Sequence, residues 1–192
     1  QGIFCIGNID AMSELRQELE QYYGLHMVGR RSAESTIGFT DIFSAIALIG
    51  YRMSTLRKVR GPASSTTLVQ DDNTQIRLAG LQLRAVTAAQ ISNFYSKRAE
   101  DCKAVEELLG EPIVTYVDRI RGDYSGDLLC FFFLAQFLER NFRIWLPGIG
   151  SFFIRGAENG NGRLAYNLIM TAESIDPSNG SKAVRYKAVC FP

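Results

Sequence analysis

Cations set along two stretches of alternating apolar and polar residues are the groups in this sequence that could do chemistry. Arg155, Arg163, Lys182, Arg185 and Lys187 mark these stretches, and Pro177 sits in the glycine-containing turn Ile175-Asp176-Pro177-Ser178-Asn179-Gly180. Guanidinium and ammonium groups along an extended ribbon can neutralise successive phosphates, and a proline at its tip can wedge open one base step. The same cations also suit an ordinary sheet edge facing water. A second basic cluster, Arg57, Lys58 and Arg60, closes a helical pattern before Gly61-Pro62. Cations there complement the helix macrodipole, which is a sufficient structural reason for them, and they are also placed to touch phosphate.

Other chemistries lack their parts. A lone histidine, His26, and no nucleophile elbow, P-loop or paired carboxylates flanking a glycine-rich strand argue against hydrolysis and phosphoryl transfer. Gly148-x-Gly150 precedes a strand and not a helix, so it is no dinucleotide fingerprint. Cys5, Cys102, Cys130 and Cys190 form no C-x-x-C pair, which speaks against a metal site and for reduced thiols in an intracellular compartment. Arg121-Gly122-Asp123 reads as a turn. The expectation is a protein that is not an enzyme and needs no cofactor or metal.

Charge and hydropathy narrow the partners. The chain has 192 residues and a formal net charge of +1, so no overall basic excess draws it to a polyanion. From Phe142 onward six cations oppose three carboxylates, a modest local excess. The most apolar run, Leu128 to Leu138, spans 11 residues where a bilayer needs about 20, so it reads as a core helix and no membrane partner is expected. No leader is visible, although the chain begins with Gln1.

The elements that must position these residues follow from periodicity. Asp10 caps a helix carrying Met12, Leu15, Leu19 and Tyr22, ended by Gly24. Thr40 caps a second with Ile42, Phe43, Ile46, Ala47, Ile49 and Met53 on its apolar face. Residues 76–86 fit either a strand or a helix. A helix runs from Ala88 to Leu109, stopped by Gly110, and a short one follows from Ile113 to Ile120, with Val114, Val117 and Ile120 on one face. Ser125 caps the apolar helix, which must be covered on two sides by the sheet and by the N-terminal helices or a partner subunit. Strands are expected at Phe142–Leu146, Ser151–Arg155, Arg163–Thr171 and Ala183–Phe191. Pro147-Gly148 turns the first pair, where Gly148 and Gly150 serve the backbone. Asn159-Gly160 turns the second and third into a hairpin.

Residues 112–192 resemble a bacterial histone-like domain of the HU/IHF type. The helix pair Ile113–Ile120 and Ser125–Arg140 resembles the family's first two helices. Leu146-Pro147-Gly148-Ile149-Gly150-Ser151-Phe152 resembles its Gly-Phe-Gly-Thr-Phe hairpin, and Asp176-Pro177-Ser178-Asn179-Gly180 resembles the Asn-Pro-x-Thr-Gly tip of its DNA-binding arm. Residues 1–111 resemble no known family and read by periodicity as a mostly helical region; the resemblance implies a helix pair with an antiparallel β-hairpin and arm at 112–192, and the whole is expected to be α+β. The resemblance also implies an architectural DNA-binding role, with Pro177 as the intercalating proline. The arm is less basic than in the family and the interval before Pro177 is longer. The alternative is a structural scaffold or interaction protein, a viral capsid or nucleocapsid subunit included, working as a homo-oligomer or inside a larger assembly without DNA contact.

Overall fold

The computed structural model describes residues 9–23, 26–27, 41–58, 69–156, 165–176 and 181–190. Helices fill the N-terminal part: α1 (Ile9–Tyr23), α2 (Ile42–Lys58), α3 (Val69–Tyr95), α4 (Ala99–Leu109), α5 (Ile113–Arg121) and α6 (Leu128–Leu138). After the two-residue β1 (His26–Met27), the strands β2 (Phe142–Leu146), β3 (Gly150–Ile154), β4 (Tyr166–Asp176) and β5 (Ser181–Cys190) lie at the C-terminus. The fold is therefore α+β. Among the described residues no helix is long and apolar enough to cross a membrane.

The undecided stretch 76–86 is helical, the middle of α3. Its buried positions Gly80, Arg84, Thr87, Ala88, Ile91 and Tyr95 recur at helical spacing. Leu, Gln, Arg and Ala are good helix formers, and their preference prevails over the apparent alternation. The expected single helix Ala88–Leu109 is in fact two. The Ser96 hydroxyl donates to the Asn93 carbonyl at 3.0 Å, the chain turns, and Arg98 stacks over Phe94 before α4 begins. Gly110 ends α4 in the left-handed region at φ 72°.

Caps and faces also depart in detail. Asp41 caps α2, accepting the Ser44 amide at 2.9 Å; Thr40 lies outside the described residues. Asp127, not Ser125, caps α6, with its carboxylate accepting the amides of Leu129 and Cys130 at 3.0 and 3.2 Å. Ser125 is buried, and its carbonyl accepts from the Ile42 amide. On α5 the inward face is Ile113, Tyr116, Val117 and Ile120, while Val114 is 68% exposed. Tyr116 outcompetes valine for the core because its phenol finds a buried acceptor.

The sheet order is β1-β5-β4-β2-β3. Pro147-Gly148 joins β2 and β3 as an antiparallel pair, with Gly148 and Gly150 both at positive φ. Strands β3 and β4 do not pair as the expected hairpin: β4 runs parallel to β2 on the side away from β3, and the sheet is mixed and not antiparallel throughout. Burial supplies the reason. Leu168 and Ile169 are consecutive and both fully buried, so β4 needs cover on both faces, which an interior place beside β2 provides. Strand β3, largely exposed, takes the edge. Residues 157–164 themselves lie outside the described residues.

One apolar core lies between the helices and one sheet face. It unites Ile42, Phe43 and Ile46 of α2, Ile91 of α3, Tyr116 of α5 and Phe131 of α6 with Phe142, Leu168 and Tyr186 of the sheet. The core therefore spans both sides of residue 111. On the other face Trp145, Ile169 and Val189 form a smaller cluster with Leu15 and Leu19 of α1. The apolar α6 buries Phe131 and Phe133, but Phe132 is 48% and Phe137 46% exposed.

Candidate functional site

Strand β5 carries the cations most clearly placed together. Arg185 and Lys187 stand two residues apart, opposite Thr171 and Ile169 of β4. Because side chains alternate across a strand, both belong to the face opposite buried Tyr186 and Ala188. Neither is a freely solvated charge. An Arg185 guanidinium nitrogen donates to the Ser125 hydroxyl at 3.5 Å. Lys187 is half-buried, and burial first, then the positive charge of Arg16 on α1, pulls its ammonium below the usual lysine range.

The remaining candidates are scattered. Arg155 is exposed just past the end of β3, its carbonyl accepting from the Gln136 amide at 3.3 Å. Arg155 and Arg185 lie three strand spacings and about six residue rises apart, roughly 25 Å in all. Arg57 and Lys58 end α2, and Lys182 pairs with Ser174 near the far end of the β4–β5 hairpin. Arg60, Arg163 and Pro177 lie outside the described residues. Arg155 and Arg185 thus share no single basic surface.

The charges that the fold does bring together serve its interior. Arg84 is only 8% exposed; one guanidinium nitrogen donates to the carbonyls of Ile120 and Tyr124, both at 2.8 Å, and another lies 3.5 Å from Asp41. It also lies 4.7 Å over the Phe43 ring, so one side chain ties α2, α3 and the α5–α6 link. Asp127 is a second knot. Its carboxylate accepts from the Tyr116 phenol at 2.6 Å and the Tyr124 phenol at 2.8 Å, besides the two α6 amides. The Cys130 thiol lies 3.4 Å from the Tyr116 oxygen, and burial pushes it up to about 12. Tyr116, Tyr124 and Tyr186 are likewise raised, chiefly by burial. Such phenols and thiol stay protonated at neutral pH and act as donors or fillers, not nucleophiles.

These knots went unrecognised in the sequence. Asp127 stands at the head of an apolar run, a usable cap signal, but Ser125 offered the same one. Nothing near Arg84 in the chain marks it as buried, since its partners are 36 and 40 residues away. Among the described residues no cluster of three or more His, Cys, Asp or Glu could hold a metal ion.

The sheet's open edge offers a different surface. Strand β3 pairs only with β2 among the described strands. Phe153 is 52% exposed, and Ile149 in the preceding turn is exposed too. Helix α6 runs beside this edge, as the Gln136 contact with Arg155 shows, and Phe132 lies one turn before Gln136 on the same helix side. No protein-family model matches the chain, and no curated protein matches it.

Proposed function

We propose that this protein is a non-enzymatic structural subunit that associates through the β3 edge of its sheet, with a second copy of itself as the partner. The observation that carries the reading is that edge: a strand with one side unpaired among the described residues, bearing half-exposed Phe153 on the sheet face away from α6 and flanked on the α6 face by half-exposed Phe132. Unpaired strand amides and carbonyls seek a partner strand, and exposed aromatic groups contribute apolar area when one docks. The separation of Arg155 from Arg185 supports the same reading, since a backbone grip needs cations converging on one path. Light scattering on the purified chain should give at least twice the mass of the 21.4 kDa chain, and Phe153→Asp should return it to monomer without loss of helix signal. A monomeric native chain at about 100 μM overturns the proposal.

The nucleic-acid reading keeps one supporting observation, Arg185 and Lys187 side by side on β5 leading to the β4–β5 turn. Binding of a short duplex at two salt concentrations decides it. A phosphate grip by about four cations gives a log–log slope of roughly -3 to -4, and the subunit reading expects no saturable binding.

A further inference from the structure

A cleft of about 440 Å³ opens between α2, α3, the end of α6 and the start of β4. This falls within the roughly 300–1,000 Å³ usual for small-molecule sites. Its walls include Val86 of α3 and Phe137 of α6, and among the described residues its lining holds no Asp, Glu, Lys, Arg or His. Polar contacts come from neutral groups, the amides of Gln75 and Gln82 and the phenols of Tyr51 and Tyr166. An ion entering would shed its hydration without gaining a countercharge.

Gly50 gives an independent reason to regard the cleft as a built site. It lies inside α2, where glycine costs stability relative to alanine. Among the described residues a Cβ there would meet only the Tyr166 hydroxyl, at an ordinary 3.8 Å. Packing therefore does not demand the glycine, and its effect is to deepen the cleft that it lines.

We propose that this cleft binds an uncharged, mainly apolar small molecule carrying one hydrogen-bonding group. Apolar rings or chains cover Val86 and Phe137, and the polar group meets Gln82 or Tyr166. The site lies between the helices and the first residue of β4, and does not use the β3 edge.

The neutral fluorophore N-phenyl-1-naphthylamine, titrated into the full chain, tests this. Saturable binding of one probe per chain is expected, weakened about tenfold or more by Gly50→Leu and left within about twofold by Gly50→Ala. By calorimetry, 1-naphthol should bind about tenfold more tightly than 1-naphthoate, whose carboxylate finds no cation in the described lining. Absence of saturable binding, equal affinity in a folded Gly50→Leu chain, or equal binding of naphthoate overturns the proposal. Should Gly50→Leu fail to fold, Ala79→Phe fills the cleft from the α3 wall and is read the same way. Hydrogen exchange on the native chain decides without any variant: the probe must protect α2 and α3, and protection elsewhere alone rejects the site.

Discussion

Asp127 holds four hydrogen-bond donors with one carboxylate, and its loss should be felt throughout the fold. Two phenols and two amides converge on it, so Asp127→Ala leaves buried donors without a partner and removes the α6 cap. The expected cost is about 2–4 kcal/mol, read from urea unfolding. Beside it, Cys130 has a thiol raised from an ordinary 9.0 to about 12, so the folded state disfavours the thiolate. The stability this contributes is fully present below the unfolded value and is lost as pH rises from 9 to 12. Denaturant midpoints should therefore fall across that window, with a shallower fall in Cys130→Ala. At pH 8, peptide mapping after iodoacetamide should find Cys130 unlabelled in the native chain and labelled in urea.

At the scale of elements, the β2–β3 turn and helix α2 show two distinct uses of glycine. Gly148 sits at φ 72°, where a β-branched side chain is strained. Gly148→Val should lower stability by about 1–2 kcal/mol, seen as a fall in melting temperature, because the turn sets the β2–β3 register. Gly50 has ordinary helical backbone, so Gly50→Ala should instead raise stability by about 0.5–1 kcal/mol. Opposite signs at two glycines separate a conformational requirement from an open space. For α6, Asp127 holds the first turn, and a left-handed Glu139 at φ 49° ends the helix, its amide donating to the Ala135 and Gln136 carbonyls.

The whole molecule is held by a core that both halves of the chain build. Phe43 and Ile91 from the first half pack in one cluster with Phe131, Phe142 and Tyr186 from the second. A fragment comprising residues 112–192 should therefore not fold alone, since its sheet face would lose the cover of α2 and α3. Heteronuclear NMR spectra of that fragment should lack dispersion, while the full chain shows one cooperative unfolding transition by calorimetry. A dispersed fragment spectrum would restore residues 112–192 as an independent unit.

Local chemistry by itself determined where most elements lie. Apolar spacing marked α1, α2, α5 and α6, Gly110 marked the end of α4, and Pro147-Gly148 marked the β2–β3 turn. These signals rest on residues within one or two turns of each other, and so they are written in the chain. What only the tertiary structure decided is pairing and burial between distant residues. Asn159-Gly160 favours a hairpin locally, yet Leu168 and Ile169 need two covered faces, and burial places β4 beside β2. Arg84 carries the composition of a surface residue and becomes a buried tie because the Ile120 and Tyr124 carbonyls arrive from another helix pair. The candidate cations share a sign and a rough alternation, but sheet order and strand register together set Arg155 far from Arg185. Spacing along a chain fixes which way a side chain faces within its element; distance between elements comes from which strands and helices can cover one another's apolar surface.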